Sequence, residues 1–313
     1  MKILLFVNTI QNLKNPDNLG GIEILNYDLF KHLKKKNEII ISNKISKKIL
    51  NIDWDIVISS NETRIFNQVK TRRKILWLHN KLQLEKAFRK KQLFSILFNN
   101  IEVVFVSKYL DKNTSIFYNF YKRKVIPNFL PKIFEKTVIS TNIKQKKNLF
   151  VWSVQRKFGL KDLLCVWKKK IYPLNLCCEL HIFGVNFKDK NLTKYNIFCH
   201  GKISRKKLIN FYKKSIGMIC LGYDETFCLN AIEAMKIGLP VISLGETALK
   251  EIIYDKKNGY IIDNICNIDK PITNLIKLNN TSKVKLTKSC IKFASNYNSN
   301  IVFKKWDKLI YSS

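Results

Sequence analysis

Chemistry in this chain concentrates in residues 224–242, Asp-Glu-Thr-Phe-Cys-Leu-Asn-Ala-Ile-Glu-Ala-Met-Lys-Ile-Gly-Leu-Pro-Val-Ile. Glu225 stands in the loop after an apolar run, 216–221, that reads as a buried strand. From about Phe227 to Ile237 the pattern is helical, with Leu229, Ile232 and Met235 on the apolar side. Gly238 stops that helix, Pro240 cannot continue it, and Val241-Ile242-Ser243 opens the next strand. The product is a β-loop-α-β unit with a carboxylate at the carboxyl end of a strand, the edge at which open α/β sheets bind ligands. The helix amino terminus beside it presents the N–H groups of Leu229 and Asn230 and a positive dipole end, suited to an anion such as a diphosphate. Glu233 follows about two turns further along. The plainer alternative makes Glu225 a helix-capping carboxylate and Glu233 a solvated helix residue.

The same string, Glu225, seven residues, Glu233, and on through Gly238-Leu239-Pro240-Val241-Ile242, resembles the signature of retaining nucleotide-sugar glycosyltransferases of family 4. That resemblance implies the α/β GT-B fold, two doubly wound Rossmann-like domains facing a cleft. It implies further that Glu225 sits by the donor sugar and Glu233 holds the nucleotide ribose. The family usually has Gly where Thr226 and Cys228 stand, and small glycines let backbone amides approach a ligand.

Elements on either side fit that expectation. Residues 2–7, 55–59, 74–78 and 103–107 read as buried strands, with a helical pattern from Ile22 to Leu33 after the first, and Val125-Ile126-Pro127-Asn128 closes the half. Gly20-Gly21-Ile22-Glu23 lies where a loop enters that helix, and His79 follows the third strand. Taken alone, a Gly-Gly pair is more often a turn and a lone His a structural one. The family resemblance places Gly20 and Gly21 near the junction of donor and acceptor and His79 beside the donor sugar. Ser107-Lys108 and Ile126-Pro127-Asn128 also look like family landmarks.

Residues 132–147 are polar and without periodicity, a candidate linker between a domain of residues 1–131 and one of residues 148–290. Residues 291–313, with Phe303 and Trp306, read as a helix returning to the first domain. The second domain opens with a strand at 148–153, followed by Val154-Gln155-Arg156-Lys157-Phe158-Gly159-Leu160-Lys161. In the family an Arg and a Lys-Gly pair here reach the donor diphosphate; Arg156 matches the first. Phe158 stands in the Lys position, so Lys157 or Lys161 substitutes, because a flexible ammonium needs only proximity. Strands at 179–184 and 196–202 follow, and the resemblance puts Gly201 and Lys202 beside the nucleobase. Gly245-Glu246-Thr247-Ala248-Leu249 and Asn258-Gly259-Tyr260 keep the family's order.

The 313 residues suffice for two domains, and 46% hydrophobic content is ordinary for a globular protein. No apolar run approaches the length of a spanning helix, and residues 1–10 are too short for a secretory leader, so a cytoplasmic protein is expected. All eight cysteines fall after residue 150 without a Cys-x-x-Cys pair, and the expected state is buried free thiols, with no zinc site. The net charge of +34 accompanies a Lys-, Asn- and Ile-rich composition. No nucleic-acid-binding module is present, so no nucleic-acid partner is expected. The clusters Lys34-Lys35-Lys36, Arg72-Arg73-Lys74 and Arg89-Lys90-Lys91 suggest contact with an anionic membrane surface.

The resemblance implies transfer of a sugar from a nucleotide diphosphate to a glycan or lipid-linked acceptor, with retention, in cell-surface polysaccharide or lipopolysaccharide synthesis. The catalytic candidates are Glu225 and His79. The donor-binding candidates are Gly20, Gly21, Arg156, Lys161, Gly201, Lys202, Leu229, Asn230 and Glu233. Charge on the leaving diphosphate would be stabilised by Arg156, a Lys and the helix N–H groups, with no metal or other cofactor. No Asp-x-Asp motif closes a strand. The two-carboxylate scheme of glycoside hydrolases does not fit, since Glu233 is assigned to the nucleotide. Two alternatives stay open, a sugar-nucleotide epimerase and a non-catalytic basic binding protein of transferase descent.

Overall fold

Continuous apolar runs such as Ile3-Leu4-Leu5-Phe6 are what strands buried on both faces require, and in the computed structural model they assemble two wholly parallel sheets. The structure describes residues 1–9, 19–89, 91–137, 146–154, 159–185 and 190–312, without the side chains of 84, 86 and 190. Two compact units result, residues 1–131 with 299–313, and residues 132–298.

The first unit's sheet contains β1 (Lys2–Phe6), β2 (Glu38–Ser42), β3 (Trp54–Ser60), β4 (Thr71–Leu78), β5 (Ile101–Phe105) and β6 (Lys122–Val125), in the order β2-β1-β3-β4-β5-β6. The strand order reverses direction between β1 and β3, the switch point of this sheet. Helix Gly21–Leu33 follows the loop after β1. Its start is set by Glu23, whose carboxylate accepts the Gly20 N–H at 2.5 Å, while the Gly20 carbonyl takes the Ile24 N–H at 3.0 Å.

The expected single returning helix is two helices, Asn280–Ser295 and Ser299–Tyr311, broken at Asn296-Tyr297-Asn298. Only the second belongs to the first unit, so the return begins at Ser299 rather than at residue 291. Trp306 meets Trp77 edge-on at 4.9 Å, Phe303 packs on Phe129 and stacks on His32, and Asp307 pairs with His32 at 2.8 Å. The Arg73 guanidinium completes this docking. It is paired with the buried Glu102 at 2.8 Å and donates to the carbonyls of Leu309 and Ile310 at 3.0 and 3.1 Å, the unsatisfied end of that helix. Lys74 donates to Asn99 at 2.6 Å, and Arg72 lies 3.7 Å from Asp55. Arg73 and Lys74 of the basic cluster at 72–74 are therefore engaged inside the unit, while the Arg72 side chain is exposed.

The second unit's sheet contains β7 (Leu149–Trp152), β8 (Glu179–Phe183), β9 (Ile197–Gly201), β10 (Gly217–Ile219), β11 (Val241–Ser243) and β12 (Gly259–Ile261). Their order, β12-β11-β10-β7-β8-β9, is that of a dinucleotide-binding fold read from the far edge, with its switch point between β7 and β10. The candidate linker is in part structured: Lys132–Glu135 is a short helix of this unit with Phe134 buried, while residues 138–145 lie outside the described residues. All eight cysteines are free, but Cys165, Cys177 and Cys266 are exposed, against the expectation of burial; each sits in a short or irregular element at the surface.

Candidate donor site at a sheet switch point

Three loops meet at the carboxyl edge of the second sheet. From β7, Ser153 accepts a hydrogen bond from the Asn230 side-chain amide, tying the strand to the amino end of helix Leu229–Lys236. From the same strand, Gly159 starts helix Leu160–Val166 at φ 78°, a conformation open to Gly and costly for other residues. A Cβ there would lie 2.6 Å from the Tyr223 ring, so glycine also allows the loop after β7 to close on the loop after β10. The loop after β11 completes the edge. Thr247 Oγ1 donates to the Gly222 carbonyl at 2.8 Å, and the Ala248 N–H donates to the Glu225 carbonyl at 3.2 Å.

Helix Leu229–Lys236 thus begins in the crevice at the switch point. Leu229 and Asn230, both half-buried, supply N–H groups without an acceptor inside the helix. Cys228 precedes it at φ 63°, with no side-chain cap. That left-handed backbone is the physical reason a Gly is at home in this position, and here a non-glycine residue bears the strain. Its thiol faces that of Cys220 at 3.3 Å, both buried.

Glu233 is buried, 3% exposed, which overturns its reading as a solvated helix residue. Burial raises its pKa to about 7, against the opposing pull of the Arg205 guanidinium. Tyr212 is fully buried and hydrogen-bonds the Ser153 hydroxyl at 2.6 Å; burial first, then the negative field of Glu233, holds its phenol well above the usual range. Ser153, Tyr212 and Glu233 thus form a polar floor behind the crevice. Arg205 and Tyr212 were not singled out in the sequence. Both lie on helix Arg205–Lys214, in a Lys-rich stretch where one Arg and one Tyr carry no distinguishing signal.

The other candidates divide between the units. Gly201 ends β9 at φ 62° and its carbonyl accepts the Gly184 N–H at 2.8 Å; the exposed Lys202 follows, leading toward Arg205. Lys161 is exposed on the first turn after Gly159. Arg156, with Lys157, lies outside the described residues. Gly20, Gly21 and His79 belong to the first unit. His79 is buried, its ring 4.6 Å from Trp77, and its backbone N–H donates to Asn61 Oδ1 at 2.7 Å. Burial lowers its pKa to about 3, so it is a neutral imidazole. Among the described residues no group of three or more His, Cys, Asp or Glu is placed to hold a metal ion, and no helix is long and apolar enough to cross a membrane.

Residues 132–296 match the family described as glycosyl transferases group 1. The chain belongs to that family. It is therefore a glycosyltransferase, and its two-sheet architecture is the GT-B fold. The architecture is similar to that of sucrose-phosphate synthase from Thermosynechococcus elongatus, with a TM-score of 0.74 and 13% identity over 98% of each chain. WaaG, a glycosyltransferase involved in lipopolysaccharide biosynthesis, gives a TM-score of 0.74 at 11% identity, covering 99% of this chain and 100% of that one. HepE from Anabaena, solved in complex with UDP and glucose, gives 0.72 at 14% identity over all of both chains. No curated protein matches the chain.

Proposed function

We propose that this glycosyltransferase takes a sugar from a nucleotide diphosphate donor and transfers it, with retention of configuration, to a hydroxyl of a glycan or lipid-linked acceptor. The observation that supports this most is the switch-point crevice of the second unit, where the Leu229–Lys236 helix begins beside Glu225 and a buried Glu233 stands on the same helix. In this reading the N–H groups of Leu229 and Asn230 meet the diphosphate, aided by Lys161 and Arg156. Glu225 orients the sugar, and the nucleobase lies by Gly201 and Lys202. Glu233 takes hydrogen bonds from the ribose hydroxyls, which favour its ionised form. His79, a neutral imidazole, and the Gly20-Gly21 loop border the sugar from the first unit.

The leaving diphosphate develops negative charge, and preorganised N–H donors and cationic side chains stabilise it without a bound metal in this proposal. The pathway we favour is cell-surface polysaccharide or lipopolysaccharide assembly at the cytoplasmic side of an anionic membrane, consistent with the strongly basic chain. A panel of UDP- and GDP-sugars, assayed for transfer and donor hydrolysis in excess EDTA with the product anomer read by NMR, tests it. Turnover in EDTA with a retained anomer is expected. Silence with every sugar nucleotide overturns the donor reading. Dependence on added magnesium overturns the metal-free reading, and an inverted anomer overturns retention.

A further inference from the structure

The helix Gln92–Phe98 of the first unit buries two polar residues beside Ile96 and turns its largest apolar side chains outward. Its polar Gln92 and Ser95 face inward, Ser95 donating to the Thr63 carbonyl at 2.6 Å and the Gln92 carbonyl accepting from Thr63 at 3.2 Å. Phe94, Leu97 and Phe98 face outward, Phe98 80% exposed, with the rings of Phe94 and Phe98 stacked at 6.4 Å. The turn packed against it, Ile116–Tyr118, does the same. Tyr118 is buried and donates its hydroxyl to the Leu82 carbonyl at 3.2 Å, and this anchor leaves Ile116 and Phe117 projecting at 79% and 88% exposure. A monomer in water has no use for large rings held outward by buried polar anchors; contiguous exposed apolar surface of this kind marks an interaction site.

The charge of the segment selects the partner. Between residues 81 and 124 the acids are Glu85, Glu102 and Asp111; Glu102 is paired with Arg73 and Asp111 with Arg123. Arg89, Lys91, Lys112, Lys122 and Lys124 are exposed. A second copy would bring like charge against like charge. Exposed phenylalanines beside lysines and arginines suit a lipid surface with anionic headgroups, where rings enter the acyl boundary and cations stay at the headgroups. We propose that Phe94, Phe98, Ile116 and Phe117 form an insertion patch that seats the first unit on an anionic membrane. This deepens the membrane-side acceptor reading above and rests on it only for its purpose, since lipid binding is measured without catalysis.

The test is flotation of the full chain with vesicles of phosphatidylcholine alone and mixed with phosphatidylglycerol, for wild type and two variants. One carries Phe94→Ser with Phe98→Ser, the other Ile116→Ser with Phe117→Ser; the two lie in separate elements, and circular dichroism verifies each fold. Wild type is expected on the mixed vesicles, and each variant is expected to partition about tenfold or more weakly, with its residual binding removed by salt. Donor hydrolysis by the same samples should be unchanged, and its absence would strike the function reading while leaving the lipid result standing. Equal partition of wild type and both folded variants overturns the patch. So does a wild type that ignores both vesicles, including the case where sedimentation shows a dimer that the variants abolish.

Discussion

Among the buried ionisable side chains, His79 in the first unit and Glu233 in the second are both shifted mainly by burial, and burial acts on the two in opposite senses. His79, after β4, is driven from 6.5 to about 3, so its imidazole is neutral throughout the physiological range. Glu233, on the helix after β10, is driven from 4.5 to about 7 and titrates within that range. Desolvation disfavours the charged form in both cases, and the difference is only in which form is charged. The first unit thus has a group fixed in its neutral form, while the second has one that titrates near neutral pH. The contributions of these two groups to stability therefore depend on pH in opposite senses. Folded His79 binds fewer protons than unfolded between pH 3 and 6.5, so the first unit loses stability as pH falls through that window. Folded Glu233 binds more protons than unfolded between pH 4.5 and 7, so the second unit loses stability as pH rises through it.

The largest effect is expected on the first of these slopes. A shift from 6.5 to about 3 corresponds to roughly 5 kcal/mol across the window. In His79→Gln the part of the acid destabilisation due to this group should disappear, whatever the variant's stability at neutral pH. Denaturant unfolding followed by Trp54 and Trp77 of the first unit, with the second unit's Trp152 and Trp167 replaced by Phe, reads it. An acid limb as steep as that of wild type would show that His79 is protonated in the folded protein.

Glu233→Gln should reverse the sign of the comparison. The shift to about 7 corresponds to roughly 3 kcal/mol, fully felt above pH 7, so the variant should gain stability relative to wild type as pH rises from 4.5 to 7. Donor affinity should move the other way and fall about tenfold to a hundredfold, the worth of hydrogen bonds to a charged group. Wild type should also release a proton on binding donor near pH 7, seen as a calorimetric enthalpy that varies with buffer ionisation and does so no longer in the variant. Unchanged donor affinity would remove Glu233 from the ribose.

The fold was legible where strands are buried on both faces. Ile3-Leu4-Leu5, Ile75-Leu76-Trp77-Leu78 and Phe150-Val151-Trp152 are continuous apolar runs, and each is a central strand. Three of the four edge strands are not read from the sequence: β2 has only the short run Ile39-Ile40-Ile41 between polar residues and is half-exposed, β6 reads Lys-Arg-Lys-Val, and β12 has three residues. At the candidate site the loop position of Glu225 and the helix position of Glu233 were legible, but the burial of Glu233 was not. A helix with apolar positions at Ile232 and Met235 says nothing about a neighbouring Glu until Arg205–Lys214 packs beside it, which is a long-range fact. The role of Arg73 was hidden for the same reason, because its acceptors Leu309 and Ile310 are remote in sequence.

The smallest effects separate the two glycine-bearing loops. Gly159 sits at φ 78° with the Tyr223 ring in the space of a Cβ, so Gly159→Ala combines left-handed strain with displacement of that ring. A loss of about 2 to 3 kcal/mol in the second unit is expected, with weaker donor binding because the loops after β7 and β10 are pushed apart. Gly20 has φ −66° and ψ 176°, an extended conformation that any residue adopts. Its added Cβ would stand 3.2 Å from Glu23 Oε2, the free end of a side chain already bonded to the Gly20 N–H. Gly20→Ala should therefore cost well under about 1 kcal/mol in the first unit, since a carboxylate can retreat a few tenths of an ångström where an aromatic ring cannot. If a glycine is needed at position 20 for the sugar rather than the fold, this variant should keep its thermal stability and lose turnover. Unchanged turnover at unchanged stability would reduce the Gly20-Gly21 pair to a helix entry.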